Sequence, residues 1–366
     1  MQITKGLAPN SRDYWRIVLA LAAKDVIEAL KNKTTLTMIL GLALMMLTVQ
    51  ALPLLLQLDD RPRLAIYDGA QSGVADELRR ERTVQVLELR TAAGALTAAQ
   101  ESSGPLLAVL LPADWENRAG ALAVDGYVAH WVRAQAVDEL VTQGEAALTA
   151  VTHRPVTIHA QTAYPTPENG GHTTMVALGL VLAILLITTT LVPYLILDEK
   201  TAHTLDALRV SPASMNQILL GKGLAGMVYG LLAAAVLLAF NLALVNLWGL
   251  MLLAVLLLVL LGVGLGLLVG TLVENEGAMQ LWIGLLALVL MGPLLLVFTN
   301  SSRVPGWLQP VLAWLPTTAA YTLMRLSFAE VWSVAQIWLP VTAVLLAVAL
   351  VFAAAGWRLR RWDAGW

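Results

Sequence analysis

Ionisable side chains are absent from five long stretches of the chain. All 23 Lys and Arg residues and all 25 Asp and Glu residues lie outside residues 34–56, 173–197, 223–270, 280–299 and 336–356. Each stretch is at least as long as the roughly 20 residues that an α-helix needs to cross a bilayer. A charged side chain at the bilayer centre costs about 3 kcal/mol on insertion scales. The pattern therefore predicts membrane-spanning helices rather than the core of a soluble protein.

The third stretch is too long for one crossing. At residues 246–249 it contains the sequence NLWG, in which a glycine and a tryptophan suited to the membrane interface favour a hairpin. We therefore predict an α-helical polytopic membrane protein with six transmembrane helices. These are expected at residues 34–56, 173–197, 223–246, 249–270, 280–299 and 336–356.

The distribution of basic residues predicts the orientation. Six lie in residues 1–33, three in 198–222 and three in 357–366, whereas only two lie in 300–335. The positive-inside rule counts short segments and disregards long domains such as residues 57–172. We expect a cell-membrane protein whose residues 1–33, 198–222, 271–279 and 357–366 are cytoplasmic. The 57–172 domain is then extracytoplasmic, between helices 1 and 2.

The N-terminal segment has an amphipathic pattern. Apolar residues recur on one helical face, and charged residues occupy another, which predicts an elbow helix lying in the membrane interface. An ordinary cytoplasmic helix packed on a partner is the alternative. The apolar positions are Trp15, Val18, Leu19, Ala22, Val26 and Leu30, and the charged ones are Asp13, Arg16, Lys24, Glu28 and Lys31.

Residues 61–160 read as a compact α/β domain of about 100 residues. RLAIYD, TVQVLEL, GPLLAVLLP, ALAVDGYVAHW and RPVTIHA are predicted strands, with helical segments between them. The apolar GPLLAVLLP suits a buried central strand. Four of the five histidines lie in residues 57–172, but without the carboxylates or cysteines of a metal site they are expected to be surface residues.

Composition limits the chemistry further. The chain is 58% hydrophobic and only 13% charged, against roughly a quarter charged in soluble proteins. It has no cysteine, which excludes disulfides, Fe–S sites and thiol nucleophiles. Neither G-x-S-x-G nor H-E-x-x-H occurs, so a hydrolase or metalloprotease finds no support.

A short polar segment separates the second and third predicted spans. Within residues 198–222, Leu205, Leu208 and Val210 lie near one another on a short helix, with Asp206 and Arg209 on its other faces. Pro212 ends this helix. It is either a projection toward a partner or a plain loop that caps the helix bundle.

The GK dipeptide in this segment is not a nucleotide site. A P-loop requires G-x-x-x-x-G-K-[ST], so that backbone N–H groups surround the phosphates. Here Asn216 replaces the first glycine, and Gly223 follows Lys222 in place of Ser or Thr. Lys222 is expected at the inner headgroup level. If ATP drives this protein, another chain binds it.

The segment resembles the cytoplasmic loop of ABC-2-type transporter permeases, E-K-E-R-G-T-L-E-x-L-x-x-[ST]-P-x-S…I-L-x-G-K, with Ala202 and His203 departing from it. The resemblance covers nearly the whole chain and includes the sodium- and drug-efflux subgroup's α/β insert. Its matching residues in the loop are Glu199, Lys200, Thr204, Leu205, Asp206, Leu208, Ser211, Pro212, Ser214, Ile218, Leu219, Gly221 and Lys222. Further along they are Glu274, Asn275, Glu276, Pro305, Trp307, Leu308, Leu315, Pro316 and Arg325.

The resemblance implies a permease that forms a homodimer or heterodimer and sits on two ATP-binding subunits. ATP and Mg would bind to those subunits, and no cofactor is expected in this chain. Residues 204–211 would be the coupling helix, and the turn at Glu274, Asn275 and Glu276 would add a second contact. The coupling residues are Thr204, Leu205, Asp206, Leu208, Arg209, Ser211 and Pro212.

Residues 300–335 contain three prolines and cannot form one straight span. Short helices dipping into the outer leaflet would form an external gate, and an interfacial loop is the plain alternative. The candidate gate residues are Pro305, Trp307, Trp314, Pro316 and Arg325.

The apolar runs favour an amphipathic or hydrophobic exported substrate, because ion relays use charged residues. Thr188–Thr190, Gln50, Asn241 and Asn246 leave a polar path and a sodium-efflux permease open. A receptor or assembly scaffold with an external sensing domain is the alternative of another class. An intramembrane enzyme finds least support, and nucleic acid is not an expected partner.

Overall fold

The computed structural model describes residues 11–31, 61–117, 120–166, 171–201, 214–300 and 305–364, together with residues 37, 40, 41 and 44. Most of the predicted first span, 34–56, lies outside the described residues. So does the 202–213 part of the predicted cytoplasmic loop.

Five helices in the described part of the chain are long and apolar enough to cross a membrane. These are α5 (His172–Thr201), α6 (Met215–Ala239), α7 (Trp248–Leu272), α8 (Glu276–Asn300) and α11 (Val334–Ala364). Helix α1 (Ser11–Lys31) precedes them. Two short helices, α9 (Gln309–Trp314) and α10 (Pro316–Phe328), stand between α8 and α11.

The helices extend beyond the apolar runs that predict them. Helix α6 begins eight residues before the apolar run at 223, because Ser214 and Gln217 form a capping box at its start. The Ser214 N–H donates to Gln217 Oε1 at 2.7 Å. The helix then ends at Ala239, and a 3₁₀ turn (Leu242–Leu244) leads to α7. Hydropathy marks the apolar part of a helix, whereas capping side chains set its ends.

Residues 63–163 form the small α/β domain that the alternating pattern predicts. Its strands are β1 (Arg63–Asp68), β2 (Gln85–Glu88), β3 (Leu107–Leu111), β4 (Leu122–Ala129) and β5 (Val156–Ala163), in the order β2-β1-β3-β4-β5. Its helices are α2 (Val74–Glu81), α3 (Ala93–Glu101) and α4 (Ala134–Thr152). The apolar β3 is the central strand, as expected.

The strand directions determine which strand ends lie next to one another in the sheet. β1 is parallel to β2 and β3, β3 is antiparallel to β4, and β4 is parallel to β5. Helices α2 and α4 cover one face, through Leu78 and Leu148, and α3 covers the other through Ala95 and Ala99. Since β4 and β5 are parallel, their carboxyl ends lie side by side.

Helix α5 lies at the centre of the helical bundle, and 78% of its most apolar 18-residue stretch is buried. Gly262, Gly266 and Gly270 of α7 face it along one stripe. A Cβ atom at Gly262 would collide with Thr188, and one at Gly266 would lie 2.8 Å from Val192 Cβ. The glycine stripe therefore serves close packing between α5 and α7 of the same chain.

Helices α8 and α11 pack far less against the rest of the chain. Only 6% of the most apolar 18-residue stretch of α8 is buried, and only 17% of the corresponding stretch of α11. Their exposed residues are mostly large and apolar, such as Leu281, Leu288 and Leu350. Lipid or another apolar surface must cover them.

Replacing Gly262 by Ala tests the α5–α7 packing. The added methyl group collides with Thr188, and overpacking of this kind costs about 1–3 kcal/mol. We expect a lower thermal unfolding midpoint in detergent. Gly284→Ala in α8 is the matched control, because nothing lies within 4 Å of its added Cβ. Equal midpoints for the two variants would contradict the packing argument.

Candidate functional site: a buried charge cluster beside helix α1

Helix α1 packs directly on the first turns of α6. Val18 and Ala22 are buried in this contact, and a Cβ atom at Gly221 would lie 2.8 Å from Leu21 Cβ. The Tyr229 hydroxyl donates a hydrogen bond to the Val26 carbonyl at 2.7 Å. The absence of a side chain at residue 221 lets the two helices approach closely.

Lys222 is completely enclosed where α1, α5 and α6 meet. Its side chain is 2% exposed. Its Nζ lies 3.0 Å from Glu199 Oε2, 3.4 Å from Asp25 Oδ2 and 2.7 Å from the Leu195 carbonyl oxygen. The ammonium group donates hydrogen bonds to Asp25 Oδ2 and the Leu195 carbonyl and forms an ion pair with Glu199 Oε2, so two of its three partners are anionic. The lysine therefore connects three helices.

A second lysine extends the network toward the surface. Lys24 Nζ lies 3.4 Å from Glu199 Oε1 and 3.5 Å from Glu28 Oε2. The two Glu199 oxygens thus face two different lysines. We call Lys24, Asp25, Glu199 and Lys222 the charge cluster. Its two cations balance its two carboxylates, as burial in an apolar bundle requires.

Burial and charge act in opposite directions within the cluster. Burial raises the pKa of the Asp25 carboxyl above its ordinary value, and Lys222 offsets only part of this effect. Burial lowers the pKa of Lys24, but Glu199, Glu28 and Asp25 outweigh it, and the net pKa is raised. Lys24 therefore stays cationic, whereas ionised Asp25 is costly for the fold.

Next to the cluster, Lys200 ties α5 to the end of α7. Its Nζ donates to the carbonyl oxygens of Gly270 and Val273, both at 2.8 Å. These carbonyls end α7, so the lysine caps the helix. Glu274, Asn275 and Glu276 follow at once and are exposed. Asn275 Oδ1 accepts a hydrogen bond from the Ala278 N–H at 2.8 Å and caps α8.

The predicted coupling residues Thr204, Leu205, Asp206, Leu208, Arg209, Ser211 and Pro212 lie outside the described residues. The residues that flank this segment are described on both sides. Glu199 and Lys200 lie just before them, and Ser214, Gln217 and Lys222 just after. Gln217 Nε2 also donates to the Tyr14 carbonyl of α1 at 3.4 Å.

The predicted gate residues do not form one cluster of packed side chains. Trp307 is 74% exposed and Trp314 46% exposed. Pro316 begins α10, which is buried in the bundle through residues such as Leu323 and Met324. Arg325 reaches the α/β domain, donating to the Thr166 carbonyl at 3.4 Å.

Sequence reasoning placed Lys222 at headgroup level and missed the cluster. One signal could have found it. Asp25 lies on the same helical face of α1 as Val18 and Ala22, and an acidic residue there needs a buried cation. Among the described residues, no group of His, Asp and Glu side chains could hold a metal ion.

A model of the family described as ABC-2 family transporter protein matches residues 33–358. This chain belongs to the ABC-2 family of transporters. No curated protein matches the sequence. The match covers the α/β domain and helices α5 to α10 with most of α11, whereas α1, with Lys24 and Asp25, precedes it. The chain is therefore the membrane-embedded permease of an ABC transporter, a multi-pass membrane protein whose partner carries the ATP-binding cassette.

We expect Lys222→Met to destabilise the permease strongly, since it leaves Asp25 and Glu199 buried beside each other without their shared cation. Breaking a buried ion pair from one side costs about 3–5 kcal/mol. Asp25→Asn should cost clearly less, because burial already disfavours the Asp25 carboxylate. Thermal unfolding in detergent measures both.

Lys31→Met is the control for the loss of a lysine from an exposed site on α1. It should leave the unfolding midpoint unchanged. A midpoint for Lys222→Met equal to that of Lys31→Met would show that the cluster does not hold the three helices together.

Proposed function

We propose that this chain is the permease of an ABC exporter that moves an amphipathic or hydrophobic molecule outward, using ATP hydrolysed on separate subunits. The observation that carries the proposal is the connection between the two helices that flank residues 202–213. The helices on both sides of this segment are tied by Glu199 and Lys222 to one another and to α1. A short segment held this way suits contact with a moving partner.

The anchoring offers a route for force. A displacement of residues 202–213 acts on α5 and α6 at once, because Lys222 joins them. Lys200 extends the connection to the end of α7 and the acidic turn beside it. Residues 204–212 are then the coupling segment. Leu205 and Leu208 anchor it in a groove of the ATPase, and Asp206 and Arg209 orient it.

This function sets the orientation. Residues 202–213 and both termini face the cytoplasm, where the ATPase binds ATP and Mg, and the α/β domain lies outside. The excess of basic residues in 1–33, 198–222 and 357–366 supports this arrangement. Two ATPase copies would serve two permeases, as a homodimer or a heterodimer.

The hydrogen bonds of the spans support an apolar substrate over a bare cation. Thr188 Oγ1 and Thr189 Oγ1 both donate to carbonyls of their own helix at 2.6 Å. Asn241 Nδ2 likewise donates to the Leu237 carbonyl at 2.8 Å. The two threonine hydroxyls thus bond within their own helix, and the Asn241 amide bonds back to the last turn of α6, which supports an apolar path over a hydrated one.

The coupling role is tested by replacing Leu205 and Leu208 together by Asp. We expect the full-length chain, purified from its native membrane, to co-purify with a P-loop ATPase and to hydrolyse no ATP alone. The double variant should lose that partner, because charge enters the apolar contact, while its unfolding midpoint stays unchanged.

Ala202→Asp/Ala213→Asp, which adds the same charge just outside residues 204–212, is the matched control and should retain the partner. Retained ATPase and normal transport in Leu205→Asp/Leu208→Asp would reject the coupling role. A wild-type chain that co-purifies with other proteins but no ATPase would instead support the scaffold function.

Transport by the purified complex in liposomes tests the substrate class. We expect ATP-dependent movement of an amphipathic fluorescent dye and no ATP-dependent movement of ²²Na⁺. Vesicles without ATP, and vesicles whose ATPase carries a Walker lysine substitution, are the controls. Movement of ²²Na⁺ without movement of the dye would establish the sodium-efflux alternative.

A further inference from the structure

The α/β domain meets the helical bundle at a joint of aromatic and histidine side chains. Tyr164 stacks on His130 with ring centroids 5.2 Å apart, and Trp131 lies 4.9 Å from His172 at the start of α5. Trp131 also packs against the bundle core. The domain joint, as we call it, consists of His130, Trp131, Tyr164, His172 and Leu244.

His130 makes the polar contact of the joint with the bundle. Its Nε2 lies 3.1 Å from the carbonyl oxygen of Leu244, in the turn between α6 and α7. A carbonyl oxygen only accepts, so Nε2 carries the proton in this contact. The backbone N–H of His130 donates to the Ala163 carbonyl at 3.0 Å, which fixes the ring beside the end of β5.

The other ring nitrogen, Nδ1, makes no corresponding hydrogen bond with the described residues. His130 Nδ1 is buried and has no hydrogen-bond partner among the described residues. In the neutral ring Nδ1 is an acceptor without a donor, which costs less than an unpaired charged donor at the same buried position. A second proton would place a charged donor where nothing accepts its hydrogen bond, and burying such a group is costly.

The groups around the ring do not compensate that charge. Tyr164 follows directly after β5, and His172 begins α5. Arg325 belongs to α10, and its guanidinium lies over the Tyr321 ring. Residues 240–249, with the α6–α7 turn, contain no ionisable side chain. Arg133, three residues after His130, is exposed. Glu168 lies in residues 167–170, outside the described residues.

We propose that the domain joint is a proton-operated clamp, in which protonation of His130 releases the α/β domain from the α6–α7 turn. Release removes the contact with the α/β domain from those ends of α5, α6 and α7 that are far from the charge cluster. The clamp needs neither the ATPase nor a bound substrate, and it stands apart from the coupling proposal.

The direction of the pH dependence follows from burial. A released His130 titrates near its ordinary pKa of about 6.5. In the clamp, burial lowers the pKa, and the Leu244 hydrogen bond opposes this only in part. The clamped form binds the proton more weakly, so clamping is strongest above pH ~6.5 and weakens as the pH falls below it.

Spin labels on the full-length permease in nanodiscs test the clamp. Because the chain has no cysteine, Gln135→Cys on α4 and Leu242→Cys in the turn are its only labelling sites, and both positions are exposed. We expect one narrow distance distribution at pH 7.5 and a longer, broader one at pH 5.0. The separated fraction should rise by at most about tenfold per pH unit, the limit for one proton.

Four substitutions in the labelled protein identify the group. His130→Gln retains a donor for Leu244 but does not titrate, so its distribution should stay narrow at both pH values. His159→Gln, at an exposed histidine of β5, and Glu168→Gln should leave the response unchanged. The proposal is overturned if the wild-type distances are the same at both pH values, or if Glu168→Gln or His172→Gln abolishes the response while His130→Gln retains it.

Discussion

A cation enclosed in an apolar bundle has to be neutralised where it lies, and Lys222 shows how this chain meets that constraint. Lys222 belongs to α6, and its partners come from two other helices, since Asp25 belongs to α1 and both Glu199 and the Leu195 carbonyl belong to α5. None of the three helices can leave without exposing a charge to an environment that cannot solvate it. Lys222 therefore joins α1 to α5 and α6, in addition to the Tyr229, Gln217 and Lys24 contacts of α1.

The five described membrane-length helices were predictable because the cost of burying charge acts on every residue of a span. The same holds for the strands of the α/β domain, where an uninterrupted apolar run marked β3 as central. The exact helix ends were not predictable from hydropathy. Ser214 and Gln217 extend α6 beyond its apolar run through a local hydrogen-bond exchange that average hydrophobicity does not register.

The candidate site was only partly visible in the sequence. Lys222 and Glu199 stood out as family-like positions, but nothing in their spacing points to Asp25, which is 197 residues from Lys222 along the chain. Long-range pairs of this kind depend on how helices dock. The histidines show the same limit. His153 and His159 are exposed, as expected, whereas His130 and His172 are half-buried because the α/β domain rests on the bundle.

Helix α5 connects the two ends of the molecule. At 30 residues and about 1.5 Å per residue it is roughly 45 Å long. His172 at one end contacts the domain joint, and Glu199 near the other belongs to the charge cluster. Between them α5 packs closely against the glycine stripe of α7, with Pro193 inside the helix. A continuous, tightly packed element of this kind is the physical basis on which distant ends can influence each other.

The separation of Asp25 and Lys222 along the sequence also sets the order in which the helices can pack during biosynthesis. At about 5–20 residues per second, the ribosome incorporates Lys222 roughly 10–40 s after it incorporates Asp25. During that interval the carboxylate has no buried partner and remains in contact with water. The first helix can take its final place only after α6 has entered the membrane, so the N-terminal part of this protein is among the last to settle.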